Sequence, residues 1–280
     1  MALVHSCTSE GRIKGMWKYL FGIYVMRQRL KRAAPGIDPY VGPERYFEYS
    51  RVVQSLQRFP AGASILDVGS NDSLMPTILA RRGYLVTCVD PYHLVRRQRE
   101  FAHAMGNGYR IKVALALGEK LPFRDRSFDA ATCISTLEHL AGTGDTATLR
   151  EVCRVLKPGG YIYMSFPWQK FYYEYWGKEP LYANDDSSEL KLIARTYDLA
   201  SLEERLLRPT GLRLTRGIRG EAPSGISWTE QLLRRSPLPG LADVYRGSKY
   251  ATHPLGGELL HRRFTAVLFC EKPVEDRIAK

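Results

Sequence analysis

Short apolar runs alternate with longer amphipathic stretches through the middle of this chain. Ser64 to Val68, Tyr84 to Val89, Tyr109 to Leu115, Phe128 to Ile134 and Tyr161 to Phe166 read as buried strands. Between them, Leu74 to Arg82, His93 to Met105 and Thr146 to Leu156 carry apolar residues at helical spacing. Pro76 fits only the first turn of its helix. Gly83, Gly106-Asn107-Gly108 and Pro158-Gly159-Gly160 punctuate the ends. An earlier stripe of Tyr46, Phe47, Val52, Val53, Leu56 and Phe59 predicts a helix over 44–59. Later, Leu199 to Leu207 reads as a helix, Leu212 to Thr215 as a strand and Phe264 to Cys270 as a final strand. Strands alternating with helices predict an α/β fold around a mostly parallel sheet with right-handed crossovers.

Composition narrows the class. The 280 residues are 44% hydrophobic and 25% charged, the proportions of a folded chain. No run reaches the roughly 20 apolar residues of a membrane span. Five scattered cysteines give neither a disulfide framework nor a metal spacing, so no metal is expected and a reducing, cytoplasmic setting fits. No secretory signal order is present at the N-terminus.

The net charge of +12 is uneven. Arg12, Lys14, Lys18, Arg27, Arg29, Lys31 and Arg32 stand against Glu10 alone in residues 1–34. Between them lies an apolar, aromatic stretch from Met16 to Met26. Residues 1–42 therefore read as a basic aromatic extension with a Pro/Gly linker, and 43–280 as the main domain. The extension suits three roles: a helix packed over the domain, reversible contact with an anionic membrane surface through residues 12–32, or nucleic-acid contact. In the membrane role Trp17, Tyr19 and Tyr24 would be the interfacial anchors, with the chain peripheral at the inner membrane face.

The chemistry begins at residues 65–73, ILDVGSNDS. An apolar strand ends in Asp67, and Gly69 then permits a tight turn into a helix start whose free amides suit a polar ligand. Asp90 closes the second strand 23 residues after Asp67, where a carboxylate can accept both hydroxyls of a ribose.

Four ordered segments resemble the class I S-adenosylmethionine-dependent methyltransferases: ILDVGSNDS, YLVTCVDPY with Asp90, GEKLPFRDRSFDAATCISTLEHL over 118–140, and EVCRVLKPGGYIYMSFP over 151–167. The resemblance implies a Rossmann-like, seven-stranded sheet with an antiparallel seventh strand, here Phe264 to Cys270. It implies S-adenosyl-L-methionine as cofactor, held by Asp67, Gly69, Ser70, Asn71, Asp90, Pro91, Gly118, Glu119 and Ser135. Two departures stand out. Asn71 and Ser73 replace glycines of the family's turn, and Asn is the non-glycine residue best suited to left-handed backbone. Leu117 stands where the family places the acid that receives the adenine amino group; Glu119 or the amides of Gly118 and Glu119 are the substitutes in reach.

The resemblance also implies roles beyond the cofactor. His139 is the candidate base for an acceptor hydroxyl, with Glu138 beside it, and a capping or loop-orienting role is the alternative. Insertions at about 167–197 and 216–262 would form the acceptor side. Across its start, residues 166–186 hold Phe166, Trp168, Phe171, Tyr172, Tyr173, Tyr175, Trp176 and Tyr182, suited to covering an acceptor or to a local mini-core. The second holds Arg216, Arg219, Arg234, Arg235, Arg246, Arg262 and Arg263, suited to an anionic acceptor or to a solvated face. The leading expectation is methyl transfer to a small-molecule, saccharide- or lipid-linked acceptor. A non-catalytic interaction protein on the same fold is the alternative. A nucleic-acid methyltransferase is less expected, because Ser135-Thr136-Leu137-Glu138 replaces the Asn/Asp-Pro-Pro-aromatic tetrad of base-modifying relatives.

Overall fold

A computed structural model describes residues 9–33, 39, 41–178, 189–238, 240–255 and 264–274, with side chains from residue 17 onward. Tyr182, Arg262, Arg263 and most of the linker lie outside them.

Strand β1 (Ser64–Val68) is buried along nearly its whole length, as a central parallel strand requires. It pairs in parallel with β2 (Leu85–Asp90) on one side and with β4 (Phe128–Ile134) on the other. β3 (Ile111–Leu115) extends the β2 side and β5 (Leu156–Trp168) the β4 side. β10 (Phe264–Glu271) runs antiparallel to both β5 and β8 (Arg213–Glu221). With β9 (Ala251–Pro254) at the far edge, the sheet order is β3-β2-β1-β4-β5-β10-β8-β9, eight strands rather than the expected seven. The eighth is this short edge strand, antiparallel to β8.

Helices cover both faces. On one, α2 (Pro43–Leu56), α3 (Met75–Arg81) and α4 (Arg97–Ala104) bury Phe47, Val52, Ile78 and Phe101 against the sheet. On the other, α5 (Gly144–Val155) buries Leu149, Val152 and Val155 at three-residue spacing. Each such side chain contributes roughly 1.5–3 kcal/mol. α6 (Leu199–Ser201), capped reciprocally by Asp198 and Ser201, runs on through a π-helical turn (Leu202–Leu207). The stretch expected as one helix from His93 starts instead as a 3₁₀ turn (His93–Arg96).

Helix α1 (Ser9–Ala33) packs on α2 and on α8 (Leu241–Ser248). Leu20, Ile23 and Leu30 are buried there, and Tyr19 donates to Gln57 Oε1 at 2.9 Å. Of the three expected anchors, Tyr19 and Tyr24 therefore face the protein, and Trp17 alone is exposed.

The insertions also differ from expectation. β6 (Tyr173–Gly177) and β7 (Lys191–Thr196) form a separate two-stranded antiparallel ribbon in the first. Residue 216 lies mid-strand in β8, so the second insertion begins only after Glu221 and contains α7 (Trp228–Arg234), α8 and β9. Of the arginines expected there, Arg219 is buried within β8 over the Phe264 ring, and Arg246 and the exposed Arg234 both pair with the buried Glu230; Arg216 and Arg235 are exposed.

Candidate active site

In the order β2-β1-β4, the chain leaves β1 toward one edge of the sheet and returns to pair on its other side. The carboxyl ends of β1 and β4 splay at that reversal, where open α/β sheets bind ligands. A cavity of about 650 Å³ lies there. It is lined by Asp67, Gly69, Ser70, Asn71, Asp90, Pro91, Gly118, Glu119, Ser135 and His139, ten of the eleven residues singled out from sequence. Glu138 is the exception: it is 2% exposed and sits behind His139.

The turn after β1 is tight. Gly69 has φ +73°, and a Cβ there would lie 2.2 Å from Thr136 Oγ1, so glycine is required for both conformation and space. Asn71 (φ 39°) and Ser135 (φ 49°) also adopt left-handed backbone, which costs serine roughly 1–2 kcal/mol and asparagine less. The buried Gln98 of α4 props the turn by donating to the carbonyls of Asn71 (3.2 Å) and Ser73 (2.7 Å). The expected free amides are largely spent inside the protein. Gly69 and Ser70 donate to the Val89 carbonyl and Asn71 donates to Asp90. The turn therefore supplies shape and close approach more than donors.

Asp90 accepts from the Asn71 amide on Oδ2 (3.0 Å) and from the Tyr92 amide on Oδ1 (2.9 Å). Each carboxylate oxygen keeps a second lone-pair direction, so two acceptor positions remain for vicinal hydroxyls. Burial pushes its pKa up, and the two amides partly offset this. Asp67 is more enclosed. Burial pushes it up to about 6, against hydrogen bonds from Thr132 and Ser70, with Asp90 adding to the rise. Gly118 presses against α5, where a Cβ would meet Thr148 at 2.8 Å. Leu117 is exposed and lines the wall as an apolar face, with Glu119 beyond it.

Arg45 and Tyr49 from α2, His139 and Leu140, and Lys191 and Leu192 from β7 complete the lining, with Tyr49 reaching Ser73 of the β1 turn. Arg45 pairs with the buried Glu48 at 2.6 Å. The His139 Nδ1–H donates to the Ile193 carbonyl at 2.5 Å, and Nε2 lies 3.8 Å from Glu138 Oε1. A carbonyl only accepts, so the neutral ring keeps its lone pair on Nε2, the arrangement a base needs. None of the described aromatics of 166–176 lines the cavity. Phe166, Trp168 and Tyr172 pack with Tyr197 as a mini-core, while Phe171, Tyr173, Tyr175 and Trp176 are exposed.

Residues 66–164 match the family model described as a methyltransferase domain. They form a methyltransferase domain, about a third of the chain, on the class I fold. The ubiquinone biosynthesis O-methyltransferase of Xanthomonas axonopodis pv. citri (strain 306) is 37% identical over 108 residues, 38% of this chain and 44% of that protein. The chain thus matches less than half the length of these curated relatives. A S-adenosylmethionine-dependent methyltransferase of Methanosarcina mazei superposes with a TM-score of 0.53 at 18% identity, covering 80% of this chain and 98% of that one. The [4+2]-cyclase SpnF superposes at 0.52 with 18% identity, covering 96% and 98%. These two likenesses establish the fold and no more, so the activity has to be argued from the site.

The methyltransferase domain implies S-adenosylmethionine as cofactor, and the residues present fit it. Asp90 retains acceptor positions, Gly69 keeps the β1 turn open, and Leu117 offers an apolar face. The motifs could not reveal Arg45, Tyr49, Lys191, Leu192 or Gln98, because each reaches the site from a distant element. The i, i+4 spacing of Arg45 and Tyr49 on one helical face was the one available signal.

Proposed function

We propose that this chain methylates a hydroxyl oxygen of a small organic acceptor. One observation carries the reading: a single cavity, within the roughly 300–1,000 Å³ usual for small-molecule sites, joins the Asp67–Gly69–Asp90 cradle to His139. The O-methyltransferase relatives support the same acceptor atom. S-adenosylmethionine, when bound, supplies an electrophilic methyl group. Asp90 takes its ribose hydroxyls, Leu117 its adenine face, and the β1 turn its amino-acid end. His139 Nε2 accepts the proton of the acceptor hydroxyl, and the buried Glu138 carboxylate stabilises the resulting imidazolium. Tyr49, Leu140 and Leu192 limit water around that proton transfer.

The finer acceptor class is a lipid- or saccharide-linked hydroxyl presented at an anionic membrane face. Support comes from the outward arc of α1. Trp17 and Phe21, one turn apart, are 41% and 54% exposed, and Lys18, Arg29 and Arg32 are exposed on the same arc. Among the described residues no helix is long and apolar enough to cross a membrane.

Incubating the protein with methyl-labelled S-adenosylmethionine and separate aqueous and lipid extracts tests both levels. Label is expected in an ether-forming product, in the lipid fraction for the finer class. His139→Gln should lower its rate about 10²–10⁴-fold with cofactor binding intact. Tight S-adenosylhomocysteine binding without labelling in either fraction would favour the interaction-protein reading.

A further inference from the structure

The imidazole of His139 is held by a carbonyl that belongs to the inserted ribbon and not to the methyltransferase sheet. Ile193 lies on β7, whose register against β6 is broken by a bulge between Tyr175 and Trp176. A two-stranded ribbon has little stability of its own, so its carbonyl holds a ring steadily only if the ribbon is fastened nearby.

Arg195, two residues beyond Ile193, provides the fastening. It is fully buried. Nη2 donates to the Leu140 carbonyl at 2.5 Å, the residue directly after His139. Nη1 donates to the Gly142 carbonyl at 3.3 Å and to Asp145 Oδ2 at 2.9 Å. Nη2 also lies 3.5 Å from Glu174 on β6. One guanidinium therefore joins both strands of the ribbon to the loop that carries His139 and to the start of α5. Asp145 is itself held by Arg205 and by the Tyr197 hydroxyl (2.9 Å). The planar fork of arginine can reach two carbonyls and a carboxylate together, which an ammonium cannot.

We propose that Arg195 is a positioning residue for His139. By bolting β7 to residues 140–142, it keeps the Ile193 carbonyl on Nδ1 and so fixes the tautomer whose Nε2 is free to take a proton. The inference rests on the reading of His139 as the base, but its physical content, the tautomer, is measurable without turnover.

The test is long-range ¹H–¹⁵N correlation of the histidine side chains in mildly alkaline buffer, with the His139 signal assigned by its loss in His139→Gln. In the wild type His139 should appear as a single Nδ1–H tautomer. In Arg195→Lys, which keeps the charge for Asp145 but loses the fork, the signal should pass to a mixture in which the Nε2–H tautomer dominates. S-adenosylhomocysteine affinity should stay within about threefold of wild type. An unchanged Nδ1–H tautomer in folded, cofactor-binding Arg195→Lys overturns the proposal. So does an Nε2–H tautomer in the wild type, a result that does not depend on any variant folding. If the tautomer behaves as stated and His139→Gln still turns over acceptor, the positioning stands and the base reading fails.

Discussion

The two ends of the cavity are built on different principles. The cofactor end is made of strand tips and the turns that leave them. Asp67, Gly69, Asn71 and Asp90 lie within 24 residues, and their geometry follows from local backbone: a left-handed glycine, a left-handed asparagine and a carboxylate capping two amides. The acceptor end is made of side chains from α2, the loop after β4 and the β6–β7 ribbon, and a buried ion network ties the ribbon to that loop. Asp145 and Arg195 are both fully buried. Such a pair adds little net stability, yet removing one partner costs roughly 3–5 kcal/mol. The cofactor end should therefore fail through sterics and lost hydrogen bonds, and the acceptor end through lost registration.

The largest expected effect breaks the cofactor end alone. Gly69→Val forces a β-branched residue into left-handed backbone and against Thr136. It should destabilise the fold by about 2–5 kcal/mol from combined backbone strain and overpacking and abolish S-adenosylhomocysteine binding. Urea unfolding and calorimetry read the two effects; near-wild-type binding would mean the turn is not the cradle.

Acidity should also act on the cofactor end. Burial holds Asp67 at about 6, above its ordinary 3.8, so the folded chain takes up a proton as pH falls through that window. For this group, folding stability rises on acidification and falls as pH climbs through about 6. Binding of a cationic sulfonium runs the other way, because it needs the ionised carboxylate. S-adenosylmethionine affinity should drop about tenfold from about pH 7 to about pH 5, and that of S-adenosylhomocysteine, whose thioether carries no charge, less. Equal losses for the two ligands would remove Asp67 from the sulfonium's surroundings.

Smaller effects sharpen the departures from the family. Leu117→Asp should raise cofactor affinity roughly two- to tenfold by supplying an acceptor for the adenine amino group. Asn71→Gly should change stability by less than about 1 kcal/mol, since asparagine already tolerates the conformation. A cofactor-affinity loss above about tenfold would instead make the Asn71 carboxamide, whose Oδ1 is buried without a partner among the described residues, a ligand contact.

The same contrast explains what the sequence could reveal. β1, β2 and β4 were legible because a central parallel strand must be apolar on both faces, and the turns because Gly69 and Asp90 have no freedom in type. Ser64 to Val68 and Phe128 to Ile134 were located to the residue. Tyr161 to Phe166 was read too short, because Pro158-Gly159-Gly160 looks like a stop but lies within β5. The ribbon was hidden because its strands alternate poorly: Tyr175 and Trp176 are both exposed across the bulge. Arg195 and Asp145, 50 residues apart, carry no local sign that they meet. Likewise the aromatics of α1 suited both packing over the domain and a membrane face; the structure buries Tyr19 and Tyr24 against the protein, as the packed role requires, and leaves Trp17 exposed.

The whole site depends on Asp90 tethering a nucleoside cofactor at the β1–β2 edge. Calorimetric titration of wild type and Asp90→Ala with S-adenosylhomocysteine decides whether it does. Losing two charge-assisted hydrogen bonds, at roughly 1.5–3 kcal/mol each, should weaken binding about a hundredfold or more in a variant whose fold is verified by circular dichroism. A folded Asp90→Ala protein that binds within about threefold of wild type, or a wild type that does not bind at all, would contradict it.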